Sequence, residues 1–274
     1  MEDQRMWEDL DTDCLVNIFG RVGMESLLLD IPFVCKSWYK ASLIPSCWHC
    51  IDFPGLSVDQ TFDLCHQSVG HNTIYQRFAS EFQIDKSRFS LTAFIKFVVN
   101  HSRGKATSIS LPSYCTREAV EFVAHVCPDL VFLDVSRYLL FTTSRKHISD
   151  LMCKWENLVE LWISWSYNLE QILSPISIHC KNFCSLHVCN ASIRKDEALA
   201  IITFVPNIKY LILRSADFHR DSLVSILRSC KSLVLLNVRD SVGFNEVDEE
   251  ILKLSSHISK FLCEGSKEER FIIP

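Results

Sequence analysis

Cys47-Trp48-His49-Cys50, with Cys65-His66 downstream, brings together the thiol and imidazole groups that hold zinc. A structural zinc site needs four such ligands, usually as two close pairs, and no second Cys-x-x-Cys follows. Without that second pair, neither a metal nor a cofactor is expected. Cys180, Cys184 and Cys189 fall at strand-like positions, where burial is the expectation and redox chemistry is not. The 7 glycines form neither G-x-G-x-x-G nor G-x-x-x-x-G-K, and no G-x-S-x-G turn offers a serine nucleophile. Acidic pairs such as Glu249-Glu250 read as a solvated helix face. No catalytic residue is assigned and no enzyme is expected.

The elements that would carry these side chains are set by repetition. Six apolar clusters recur: Leu130–Val135, Leu158–Ile163, Phe183–Val188, Ile208–Leu213, Leu233–Val238 and Ile258–Cys263. Their central residues are Leu133, Leu161, Leu186, Leu211, Leu236 and Phe261, so the steps are 28 residues and then 25 four times over. An L-x-x-L-x-L core at that period is the leucine-rich-repeat signature. One such unit cannot bury its own apolar face, so neighbours stack into a solenoid. Ala106–Leu111 repeats the strand half, which predicts a further unit about Ile109. Helical patterns fall between the strands at Glu118–His125, Ile148–Lys154, Glu197–Phe204, Asp221–Arg228 and Glu249–Ser256. Cys127, Cys180 and Cys230 share one slot with Trp155 and Val205, and interchange of that kind predicts packing.

Composition agrees with a surface-presenting protein. Hydrophobic residues make up 48% and charged residues 22%, ordinary for a globular chain. A net charge of -5 with no Lys/Arg run argues against a nucleic-acid partner. Met1–Glu8 lacks a basic start and an apolar stretch, so no secretory signal is expected and the cysteines are expected reduced, in cytoplasm and/or nucleus. Apolar runs such as Ala198–Val205 are too short to span a bilayer, so no membrane partner is expected.

Residues 6–53 differ from the repeats. Leu15, Ile18, Phe19 and Val22, then Leu27–Leu29, then Ile31, Val34, Cys35 and Trp38 are spaced for short helices. Asp11 or Thr12 can cap the first, and Gly20 and Gly23 near its end suit a left-handed turn. A bundle this small needs a neighbour or a partner to complete its core. Between it and the repeats, His66–Asn72 is polar and turn-like, and Phe89 to Val99 predicts a helix ending near Arg103-Gly104.

The ordered series Trp7-x-x-Leu10, Leu15-x-x-Ile18-Phe19, Val34-Cys35-x-x-Trp38 and Trp48-x-x-Ile51-Asp52-Phe53 resembles the F-box, which docks a Skp-type adaptor in cullin–RING ubiquitin ligases. Followed by these repeats, the chain resembles plant F-box/leucine-rich-repeat proteins over residues 7–53 and 106–263. The resemblance implies an α/β fold: a three-helix F-box and a short right-handed solenoid, with parallel strands on the concave face and helices on the convex face. The expected divisions are 1–53 F-box, 54–105 helical connector and cap, 106–263 repeats and 264–274 tail. Trp7, Leu10, Leu15, Ile18, Phe19, Val34, Cys35, Trp38 and Trp48 are the adaptor-binding candidates. One departure is Asp11, where the family usually carries proline; a cap would replace a preset φ. Docking is expected to survive it, with a looser leading segment.

Strand alternation turns the residues between the leucines outward. Phe132, Trp162, His187, Tyr210, Ile212, Arg214 and Arg239, with Trp165 just past its strand, are the target-binding candidates. Trp, Tyr and Arg dominate binding hot spots. The resemblance thus implies a non-catalytic substrate receptor: the adaptor, and through it a cullin, on one side and a protein target on the other. A ligand-gated receptor and a non-degradative adaptor-binding scaffold remain open beside it.

Overall fold

The structure, a computed structural model, describes residues 7, 10–54, 73–112, 115–135, 145–164, 166 and 169–268. The stretch 66–72 expected to turn lies outside them. The chain divides into two compact units, Met1–Leu130 and Val131–Pro274. Among the described residues there are eleven helices and ten strands.

The first unit opens with α1 (Thr12–Phe19), α2 (Met24–Leu29) and α3 (Lys36–Ser42), the third preceded by a 3-10 turn at Ile31–Phe33. Asp11 is the N-cap of α1 and accepts from the Asp13 N–H, replacing proline's fixed φ with a side-chain bond. Gly20 departs from expectation: its φ of -62° is right-handed, and it continues the helical turn. Gly23, at φ 84°, takes the left-handed conformation where α2 begins. Two helices follow. Ile74–Glu81 was not foreseen, and Leu91–His101 ends where predicted, with Arg103 and Gly104 both at positive φ.

One reassignment changes how the N-terminal series is understood. Cys50–Asp52, expected to close the helical segment, is a strand (β1), paired in parallel with β2 (Ser108–Ser110), Ile51 against Ile109. Ile51 and Phe53 alternate inward and are buried, the period-two pattern of a strand. The helix Arg117–Val126 completes the repeat, and Thr116 caps it from the Ala119 N–H.

In the second unit β3 (Phe132–Val135), β4 (Glu160–Ser164), β5 (Ser185–Cys189), β7 (Tyr210–Ile212), β9 (Leu235–Asn237) and β10 (Lys260–Leu262) pair in parallel in that order. Leu133, Leu161, Leu186, Leu211, Leu236 and Phe261 lie side by side across it. The first five are fully buried, and Phe261, in the last strand, is half-buried. Arg145–Met152, Lys195–Phe204, Arg220–Ser229 and Glu249–Ser255 are helices as the patterns predict. A further helix, Leu169–His179, was hidden by Pro175 in its interior, a residue that removes one ladder hydrogen bond.

Two features repeat without an apolar signature. A short second ladder pairs β6 (Ser192–Ile193) with β8 (Asp217–Phe218), and bridges continue it to Val242 and Lys267. Each of β5, β7, β9 and β10 is also followed within three residues by a left-handed residue: Asn190, Ser215, Asp240 and Gly265, 25 apart. Behind them Ala191, Ala216, Ser241 and Ser266 are buried. Ser241 Oγ donates to the Leu213 carbonyl at 3.3 Å and Ser266 Oγ to the Val238 carbonyl at 2.8 Å, so these hydroxyls satisfy backbone groups where the chain bends.

Cys127, Cys180 and Cys230 are buried in their shared slot, as are Trp155 and Val205. Cys180 lies after a helix and not on a strand; its Sγ donates to the Trp155 carbonyl at 3.1 Å, one repeat away. Burial raises the thiols of Cys180 and Cys230 to about 11, which suppresses the thiolate needed for redox or metal chemistry.

Leu211→Ala should cost about 3 kcal/mol, the cavity cost of a fully buried leucine, read by urea unfolding. Gly243, at φ 104°, gives a second test. A Cβ there would stand 1.9 Å from the Phe218 carbonyl oxygen, so Gly243→Ala should cost more than about 2 kcal/mol. Gly23→Ala meets only open space and should cost about 1 kcal/mol. Equal costs would show that backbone conformation, and not close approach, holds Gly243.

Candidate functional site

Two surfaces carry the candidate residues, one in each unit. On the N-terminal helices burial sorts them sharply. Leu15, Phe19 and Trp48 are buried and belong to the unit's own core, a correction to their assignment as adaptor contacts. Trp48 packs at a tilt against His101, centroids 4.6 Å apart, and donates its indole N–H to the Ser42 carbonyl at 2.7 Å. Satisfied on its polar edge and covered on its rings, it has nothing left for a partner.

Trp7 at 66%, Val34 at 55% and Ile18 at 42% exposure face solvent. Leu10, Cys35 and Trp38 are half-buried. Trp38 packs edge-on against Phe19 at 5.3 Å and donates to the Trp7 carbonyl at 3.3 Å, tying the leading segment to the helices. Val22, Phe33, Tyr39 and Leu43 are also exposed. Sequence reasoning missed these four because they lie between the motif positions. Seven exposed large apolar side chains within residues 7–43 are dense for so short a stretch.

Two of the cysteines in the zinc-like run are separated by the fold. Cys47 is buried, donates to the Ala41 carbonyl at 3.4 Å, and is pushed up to about 11 by desolvation. Cys50 is exposed on β1. Cys65 and His66 lie outside the described residues.

The second surface is the outer face of the strands in the second unit. Register sets its rows: Phe132, Glu160, Ser185, Tyr210, Leu235 and Lys260 in one, and Asp134, Trp162, His187, Ile212, Asn237 and Leu262 in the next. Trp162 is 38% and Tyr210 39% exposed. Phe132 meets Trp162 edge-on at 5.4 Å, and His187 stacks on Trp162 at 4.3 Å and 13°. Four of the candidates on β3, β4, β5 and β7 thus share one face, with Ile212 beside them. Trp165 lies outside the described residues.

Glu160, an outward position by strand alternation but not among the target-binding candidates, organises this cluster. Its Oε1 accepts the Trp162 indole N–H and stands 3.3 Å from His187 Nε2. Glu160 and Trp162 are two residues apart on one strand and so share a face, as strand alternation requires. Arg214 and Arg239 are not open cations. Arg214 Nε donates to Asp240 at 3.0 Å, and Arg239 Nε donates to Glu264 at 2.6 Å, each acid sitting one repeat further on. Arg239 in turn holds the Glu264 carboxyl below the usual carboxylate range.

Partial burial lowers the His187 pKa below 6.5, and the neighbouring Glu160 carboxylate opposes that shift without overcoming it. The imidazole is therefore neutral near pH 7, as a ring stacked on Trp162 can be without cost. As pH falls from about 6.5 through the lowered value, the unfolded chain takes up a proton that the folded chain refuses, so stability is lost. The melting temperature should thus fall between about pH 7 and about pH 5, and His187→Gln should remove part of that slope. A variant with the full wild-type slope would show that His187 does not couple to folding.

The chain has relatives among plant proteins, although no family model matches it. It is 25% identical over 277 residues to the F-box/LRR-repeat protein At3g48880 of Arabidopsis thaliana, covering 94% of this chain and 84% of that protein. Similarity to the Arabidopsis F-box protein FBW2 is 24% over 243 residues, 86% of this chain and 68% of the other. The Arabidopsis F-box protein SKIP1 matches at 23% over 293 residues, 99% of this chain and 90% of the other. The likeness to plant F-box/LRR-repeat proteins therefore runs through both units.

Proposed function

We propose that this chain, similar throughout to plant F-box/leucine-rich-repeat proteins, is the substrate-recognition subunit of an SCF-type ubiquitin ligase. The N-terminal helices dock a Skp-type adaptor, and through it a cullin, in the cytoplasm or nucleus. The strand face of the second unit holds a target protein. The chain performs no chemical step of its own; it raises the effective concentration of target lysines beside the ubiquitin-carrying enzyme.

One observation carries this reading: the exposed apolar set on residues 7–43, with Trp7, Phe33 and Val34 each more than half exposed. Such side chains are a liability in isolation and become anchors once a partner's groove removes them from water. The core residues Leu15, Phe19 and Trp48 hold the helices while Ile18 and Val34 face outward.

The test uses those outward residues. Ile18→Ala combined with Val34→Ala should leave the fold intact, because both side chains are exposed, and should weaken capture of a Skp-type adaptor. Losing two aliphatic anchors costs about 3 kcal/mol, roughly a hundredfold in Kd. Leu15→Ala would act through folding and is the wrong probe. Undiminished adaptor capture by the folded double variant would overturn the docking surface.

A further inference from the structure

The strand face of the second unit also limits what it can hold. Its aromatic and aliphatic side chains, Phe132, Trp162, Tyr210, Ile212 and Leu235, stay partly in contact with solvent. Three of its charged side chains, by contrast, are answered from within. Glu160 is engaged by the Trp162 N–H and lies beside His187, Arg214 is paired with Asp240, and Arg239 is paired with Glu264. Recruiting one of these groups to a charged ligand would mean giving up an internal partner, a modest cost for exposed pairs such as these. His187 adds no charge near neutral pH, since burial keeps its ring deprotonated.

Resting on the receptor reading above, we propose that this face captures an uncharged target segment rich in apolar and aromatic side chains. The segment crosses the strands and does not extend them, because its contacts are side chains of successive repeats and not a free strand edge. From β3 to β9 the aromatic and aliphatic side chains cover four inter-strand steps, about 19 Å at the usual spacing. An extended peptide covers that distance in about six residues. Trp162 and Tyr210, exposed on neighbouring rows and two strands apart, are its anchors.

A charge-driven site would behave differently. Long-range attraction to exposed charges is screened as the Debye length shrinks about threefold between roughly 0.05 and 0.5 M salt, whereas apolar burial is not weakened. The test pans a displayed library of random dodecapeptides on the purified full-length chain at both salt concentrations. The expected pool carries an uncharged apolar–aromatic core, and its recovery changes less than about twofold with salt. Recovery should drop about tenfold with Trp162→Ala and, as a separate variant, Tyr210→Ala, each checked for an unchanged melting temperature. A pool dominated by Lys/Arg or by Asp/Glu with steep salt dependence overturns the proposal. So does no enrichment at all, or recovery indifferent to both substitutions in folded protein. Adaptor capture by the same preparations reports separately on docking, so failure of the peptide test and failure of the receptor reading are distinguishable.

Discussion

The register that sets Leu161, Leu186, Leu211 and Leu236 side by side across β4, β5, β7 and β9 governs the rest of the second unit. Side chains alternate along a strand, so a slip by one residue would turn every leucine outward and every aromatic inward. Fixing the leucines therefore fixes which residues face a partner. The aromatic cluster exists because Phe132, Trp162 and His187 occupy outward positions on three consecutive strands. No residue of that cluster needs to specify its own position; the buried leucines do so.

Much of this was legible because burial leaves a periodic trace. The 25-residue step predicted the pairing of β4 through β10 residue for residue, since each leucine must meet its counterpart. The unread parts are those where the physics is not apolar. The left-handed slot is filled by Asn190, Ser215, Asp240 and Gly265, four side chains with no common hydropathy. It is a requirement on φ, which glycine meets freely and short polar residues meet with local help. The buried serines behind it likewise answer carbonyls and not an apolar pattern. Pro175 concealed a helix for the opposite reason, since a strong local breaker was overruled by burial of Leu169, Ile172, Leu173 and Ile176.

The N-terminal helices show a different limit. Their motif residues were recognisable as a set, yet the set mixes two tasks. Short helices in a bundle use both faces, so spacing alone gave Leu15, Ile18 and Phe19 the same standing. Only the fold separates them: α1 turns Leu15 and Phe19 into the core and leaves Ile18 outside. The bundle is not self-sufficient either. Trp48 packs against His101, and Arg77 pairs with Glu25 in α2 and with Asp30 just after it. These contacts come from the helices Leu91–His101 and Ile74–Glu81, so the stretch that looked least informative in sequence supplies the neighbour the bundle lacks.

Charge placement on the strand face follows one logic. A target-holding face that carried open Arg214 and Arg239 would attract many acidic partners, because exposed cations act at a distance with little regard for shape. On the receptor reading, pairing each arginine with an acid one repeat further on, Asp240 and Glu264, would leave short-range fit as the means of selection. The repeat itself makes this inexpensive, since residues 25 or 26 positions apart arrive as neighbours through the same register that buries the leucines. Glu160 is handled in the same manner, turned into an orienting group for Trp162 and His187 instead of a free carboxylate. If this face holds a target as proposed, apolar anchors held in place by internally answered charge would leave selection to shape and to the water released on contact.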